Sequence, residues 1–239
     1  MKAQGMKHYN LIMRLCNGAA PLYFIFHILY FIFMSPAVVA QTPMRDIFAA
    51  MPDSVLPLVS KNNRLDCIDF IENNMEAKVR NRMDEYVTLE ALTPDYLRFR
   101  TSARALIEMR SLTWQPNDTT STQIVALVRT VEGGLGELAV RSSTLTFITP
   151  DWHSLSLSFE PPTLNAYFTG TLLDSTLVEP TRQAQRSLEY FHPVELRLSA
   201  DDTTLTCILQ TGDLSREERK VATQRVKPVT MKWNGRAYR

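Results

Sequence analysis

Asp151 and His153 stand two residues apart in Asp151-Trp152-His153. On a strand the pair would share one face and approach the base–orienter arrangement of a hydrolase, with a serine supplied from elsewhere. The plainer reading is a turn after Pro150, with Trp152 anchored in the core. Asp66 and Asp69 fall three apart on one helical face, a spacing that suits acid/base or metal work. Lys61 and Arg64 beside them make a solvated face the simpler account. Arg98, Arg100, Arg104 and Arg110 recur along consecutive strand segments with Glu90 and Glu108 between them. Such a face fits an anionic glycan or phospholipid, or a soluble strand surface whose charges protect an edge. Cys67 and Cys207 either pair in an oxidising compartment or remain two small buried thiols.

Beyond these groups the chemistry is sparse. The chain has no G-x-S-x-G, H-E-x-x-H, C-x-x-C, P-loop or G-x-G-x-x-G pattern. Gly133-Gly134-Leu135-Gly136 lacks the lysine and the strand–helix setting of a phosphate loop and reads as a hairpin turn. After residue 40 the only histidines are His153 and His192, too few for a zinc site. No cofactor or metal is therefore expected, and the balance leans away from an enzyme.

The elements that must hold these residues read as α+β. Thr42-Pro43 before MRDIFAAM marks a helix start that Pro52 ends. A second helix from Asn62 or Asn63 places Leu65, Ile68, Ile71 and Met75 inward, with Arg64, Asp66, Asp69 and Glu72 outward. The period then changes to two. Val87, Leu89 and Ala91, then Leu97 and Phe99, then Ala105, Ile107 and Met109 alternate with polar residues. Ile124 to Val131 is apolar on both faces, which marks a central strand or an apolar ligand's carrier. Leu138 to Ile148 returns, completing an antiparallel meander. Arg182 to Tyr190 reads as a short helix. Val194–Leu198 and Leu205–Leu209 read as a hairpin, and Ser215-Arg216-Glu217-Glu218 as a capping box. Val229, Met231 and Trp233 make a last strand. The fold expected is thus N-terminal helices, an antiparallel meander, and a smaller helix/hairpin unit at the C-terminus.

The chain's 239 residues are 45% hydrophobic with a net charge of +1, unlike a disordered tail or a basic nucleic-acid binder. Part of that hydrophobicity sits in Leu22–Met34, thirteen residues broken only by His27. At about 20 Å this run is short of a ~30 Å hydrocarbon core. Lys2, Lys7 and Arg14 precede it, and Ser35-Pro36-Ala37-Val38-Val39-Ala40 follows with small residues at Val38 and Ala40. These features predict a signal peptide over 1–40, cleaved after Ala40. Removing those 40 of 239 residues leaves 199, and losing three basic residues takes the charge from +1 to −2. The expected mature chain, 41–239, is one domain or two subunits of about 41–160 and 161–239. No transmembrane span is expected after removal, and the expected location is the periplasm or outer envelope.

The stretch Met44 to Met75, MRDIFAAMPDSVLPLVSKNNRLDCIDFIENNM, resembles the opening of a secreted Bacteroidales family catalogued as domain of unknown function 3256. Asp151-Trp152 and the closing Lys232-Trp233-Asn234-Gly235 also look like that family. The resemblance implies a cell-envelope protein and transfers no catalytic residue. Secreted proteins of such bacteria are O-glycosylated at Asp-Ser/Thr sequences, and Ser54, Thr119, Ser175 and Thr203 sit in similar ones. The function expected is a non-catalytic exported module that binds an envelope protein or glycan. The competing readings are a hydrolase built on Asp151 and His153 and a carrier of an apolar ligand.

Overall fold

Two short helices, α1 (Met44–Ala49) and α2 (Lys61–Glu72), come first in the computed structural model, which describes residues 41–168 and 178–239. Pro43 stands at the N-cap of α1 with φ −60°, and no side chain caps it. The hydroxyl cap expected from Thr42 is not made. Instead the Thr42 N–H donates to Gln123 Oε1 at 2.7 Å, and Gln123 Nε2 donates to the Thr42 carbonyl at 2.8 Å. In α2 the cap is Ser60, one residue before the helix. Its hydroxyl accepts the Asn63 N–H while Asn63 Oδ1 accepts the Ser60 N–H, a reciprocal capping box.

The inward face of α2 is rotated from the expected one. Arg64, Cys67 and Ile68 are buried, whereas Leu65 and Met75 are exposed. The cause is a demand for donors. The chain between α1 and α2 turns back under the helix with unpaired carbonyls, and buried carbonyls need partners. Arg64, 1% exposed, supplies them by donating to the Val59 carbonyl at 2.9 Å and to the Met51 carbonyl. Its Nη1 also meets Asp53 Oδ1 at 3.1 Å.

Seven strands follow in simple sequence order, all antiparallel: β1 (Lys78–Arg80), β2 (Tyr86–Leu92), β3 (Tyr96–Ser102), β4 (Ala105–Trp114), β5 (Thr122–Gly133), β6 (Val140–Ile148) and β7 (Ser154–Leu155). The meander is as the alternation predicts, with the short flanking strands β1 and β7 added. At the β5–β6 turn Gly134 has φ +77°, and a Cβ there would lie 2.3 Å from the Leu138 carbonyl oxygen, so only glycine fits. Beyond β7 come α3 (Leu164–Tyr167), α4 (Val178–Tyr190), β8 (Val194–Leu198), β9 (Thr204–Leu209), α5 (Arg216–Arg225) and β10 (Val229–Lys232). The last three strands form a second antiparallel sheet in the order β10-β9-β8.

The large sheet is covered on both faces. Ile107, Met109, Val125 and Leu127 pack with α1 and α2, where Phe48 meets Phe99 edge-on at 5.1 Å. Leu112, Ile124, Ala126, Val128 and Phe147 face the other way and pack with Leu196, Leu198, Leu205 and Cys207 of the small sheet. Strand β8 crosses the large sheet. Its Leu196 N–H donates to Ser143 Oγ of β6 at 2.9 Å, while the Ala200 carbonyl just past its end accepts from Arg110 of β4 at 2.9 Å. This layering explains why β5 is apolar on both sides: helices fill one face and a second sheet the other, leaving no call for a ligand there.

Two of the residues that carry the family likeness act as anchors. Trp152 donates from Nε1 to the Ile47 carbonyl at 2.8 Å and packs on the helical side. Trp233 donates to the Thr113 carbonyl at 2.7 Å and stacks among Phe147 and Tyr238, at 5.5 and 5.3 Å. Gly235, at φ +93°, makes the turn that brings Tyr238 back to Trp233.

Replacing Arg64 by methionine keeps much of the volume but strands the Met51 and Val59 carbonyls. A loss of about 3 kcal/mol is expected in urea unfolding. A variant within 0.5 kcal/mol of wild type, roughly the scatter of neutral surface changes, would contradict this role.

Candidate functional site

The face of the large sheet that the alternating arginines occupy is solvated only in part: Arg98 and Arg100 are half-buried and Arg104 is exposed. Glu108 and Arg110 are buried under the small sheet. At the other end of that face the cover is incomplete. A cleft of about 70 Å³ opens there, lined by Arg98, Arg100, Arg104, Arg141, Glu132 and Glu195, with Thr130 at its floor.

The register explains how these side chains meet. β3 turns tightly into β4 through Ser102–Ala105, which puts Arg104 at the rim. Glu132 and Arg141 are directly opposed on β5 and β6, and Glu195 comes from β8. Arg98 Nε donates to Glu90 Oε2 at 2.8 Å and its Nη1 to Glu108 Oε1 at 2.9 Å. Arg100 Nε donates to the other oxygen of Glu90 at 2.5 Å. Arg141 Nε meets Glu132 at 2.8 Å, and its Nη1 lies 3.6 Å from Glu195. Glu195 also accepts from Arg197 Nε at 2.8 Å. Among the described residues the Arg104 guanidinium has no carboxylate partner.

Two carboxylates of this network are pushed in opposite directions. Burial raises the Glu108 carboxyl above its ordinary value, against opposing hydrogen bonds from Tyr96 and Arg98. Partial burial pushes Glu90 the same way, but hydrogen bonds from Arg98 and Arg100 outweigh it and hold its pKa below normal. Arg110, expected with the other arginines, is drawn away to Asp95 at 2.7 Å and to the Ala200 carbonyl. Arg141, Glu132 and Glu195 were missed by sequence reasoning. The Glu132–Arg141 pair was within reach, since the turn at Gly133–Gly136 fixes that register; Glu195 was not, because it comes from the other sheet.

A second feature runs along β6. Antiparallel alternation turns the backbone groups of Ser143 and Leu145 away from β5, and β7 meets this edge only at Phe147 and Ile148. Facing the edge is an open groove of about 430 Å³, walled by Phe159, Pro161, Phe191, Pro193 and Leu196. It continues past Ser142 to Val140 and Leu138. Phe191 is 62% exposed and Leu138 57%.

The other anticipated residues lie elsewhere. Asp151 and His153 are 69% and 79% exposed on the turn between β6 and β7, their side chains 3.1 Å apart. A hydrogen bond from Thr149 lowers the Asp151 pKa, and the His153 N–H donates to Thr149 Oγ1, so the pair closes a turn, as the plainer reading had it. Asp66 and Asp69 are exposed on α2, and no group of metal-ligating residues occurs among the described residues. The suggested Cys67–Cys207 disulfide is corrected. Both thiols are free and buried, in the clusters on opposite faces of the large sheet. Burial pushes Cys67 up to about 12 and Cys207 to about 11, which favours the protonated thiol over the nucleophilic thiolate at neutral pH. Ser54 and Thr119 are exposed and Thr203 half-buried, while Ser175 and the Ala40 cleavage site lie outside the described residues.

Glu108 gives this network a pH signature. Its raised pKa means the fold favours the protonated acid. Its contribution is therefore full below the ordinary carboxylate value and is lost as pH rises through the raised one. Glu108→Gln removes that loss. Its stability relative to wild type, from urea unfolding, should improve between pH 4 and pH 7; a constant or worsening difference would refute the assignment.

Among solved structures, the chain resembles a domain of an uncharacterized protein from Porphyromonas gingivalis W83. The TM-score is 0.62 at 20% identity, covering 84% of this chain and 98% of that one, a likeness of fold. No curated protein matches. A family profile described as "Protein of unknown function (DUF3256)" matches residues 36–238, nearly the whole of the described chain. The residues read earlier as carrying that likeness are the ones that pin the helices and the C-terminus to the sheets, and the chain belongs to this family.

Proposed function

We propose that the chain is an exported, non-catalytic binding module of the cell envelope, and that it holds an extended segment of another envelope protein along the free edge of β6. The observation that carries this reading is the pairing of two features at one place. The outward N–H and C=O groups of Ser143 and Leu145 find no strand partner among the described residues. Beside them lies an apolar groove walled by Phe159, Pro161, Phe191 and Pro193. Backbone donors and acceptors give an added strand its affinity, and apolar walls select its alternate side chains. An edge left open beside exposed aromatic residues is an aggregation hazard unless something covers it. The leader-like segment before residue 41 supports export, and a binding role is supported by the described residues, among which no catalytic set is assembled.

Two experiments test this. Mass spectrometry of protein purified from its native envelope should give a mature N-terminus at Gln41; an intact N-terminus would remove the export reading. In pull-downs from envelope extracts, wild type should retain a reproducible protein partner, and Phe191→Asp should reduce that retention at least tenfold without changing the unfolding midpoint. Equal capture by both, or none by wild type, would overturn the groove as the binding surface.

A further inference from the structure

The cleft between the two sheets holds an excess of unused donors. Its lining carries four guanidinium groups, Arg98, Arg100, Arg104 and Arg141, against two carboxylates, Glu132 and Glu195. A guanidinium offers five N–H donors. Arg100 spends only Nε, on Glu90, and Arg98 and Arg141 each spend Nε and one Nη on carboxylates. Arg104 spends none on a carboxylate, although its backbone is fixed: its N–H donates to Ser102 Oγ and its carbonyl accepts the Glu132 N–H at 2.8 Å. The carboxylates thus act as braces. They fix the planes of three arginines that line the cavity and leave Nη groups not spent on a carboxylate, with the unbraced Arg104 at its rim.

We propose that this cleft is a binding site for a single oxyanionic group, a carboxylate, sulfate or phosphate borne by a soluble ligand such as an acidic sugar. The chemistry follows from three properties. Planar guanidinium groups recognise oxyanions by paired, charge-assisted hydrogen bonds. Bracing removes much of the side-chain entropy that binding would otherwise cost. The cavity, about 70 Å³, admits a few waters or one small oxyanion. Because the site is recessed between two sheets, a group projecting from a soluble ligand reaches it and a flat bilayer surface does not. The site is separate from the β6 groove and independent of it, although Arg141 and Ser142 are neighbours on one strand.

Titration calorimetry at low ionic strength, with glucuronate, inorganic sulfate and inorganic phosphate as probes, tests the assignment. At least one probe should bind saturably with one-to-one stoichiometry, and the ranking of the three identifies the preferred group. Arg104→Ala should weaken that binding about tenfold, and Arg104→Lys should restore part of it. Arg104 is exposed and pairs with no carboxylate among the described residues, so both variants should keep the wild-type unfolding midpoint. Arg129→Ala, on the opposite face of β5, should bind as wild type does. No saturable binding by any probe, or equal binding by Arg104→Ala, would overturn the proposal. So would co-sedimentation with phosphatidylglycerol vesicles that Arg104→Ala abolishes, which would assign the arginines to a membrane surface instead.

Discussion

A sheet covered on both faces must satisfy everything it buries, and that requirement organises this molecule. Strands β4 and β5 sit between two helices on one side and a second sheet on the other. Alternation along a strand sends successive side chains to opposite layers. One layer receives Ile107, Met109, Val125 and Leu127, an apolar set that close packing alone can hold. The other receives Leu112, Ile124, Ala126 and Val128, with Arg110 directly across from Ala126 and Glu108 across from Val128, and Thr130 beyond them. Placing those charges there is expensive. Glu108 and Arg110 cannot be left unpaired beneath a second sheet, so they draw in Tyr96, Arg98, Asp95 and the carbonyls past β8.

The cleft follows from the same constraint. Where the small sheet stops, the row of charges continues into Glu90, Arg100, Glu132 and Arg141, half-exposed and braced against one another. Isolated surface ion pairs contribute little to stability. A network partly sheltered between two sheets does something else: it fixes arginine planes. Stability in this fold rests on the apolar layers and on a few long-range ties. Trp152 to Ile47 ties the β6–β7 turn to α1, and Trp233 to Thr113 ties the C-terminal segment to the end of β4. Gln123 fastens the chain entering α1, and Arg64 the loop beneath α2.

How far the sequence could be read depends on the distance over which each feature is decided. The meander was legible because alternation is local, and so was the capping box at Ser215, whose hydroxyl accepts the Glu218 N–H. The face of α2 was misread because periodicity counts Arg64 as outward. Nothing within one helix reveals that two carbonyls from another segment await its guanidinium. The burial of Glu108 and Arg110 was out of reach for a similar reason, since the Ala200 carbonyl that accepts from Arg110 lies 90 residues further along the chain. Asp151 and His153 are adjacent in sequence and also in space, yet adjacency on an exposed turn makes no site.

By itself, then, the sequence determined the α+β class, the antiparallel meander, the turns that demand glycine and the lack of a recognisable catalytic motif. All of these depend on residues within a turn or a strand of one another. The tertiary structure decided which side of each strand is buried twice, that Cys67 and Cys207 lie apart on opposite faces, and that Arg98, Arg100, Arg104 and Arg141 converge on one cleft while β6 keeps an open edge. These outcomes depend on how the small sheet crosses the large one. A two-residue repeat specifies that a strand has two faces, but only the packing of the layers specifies what each face meets.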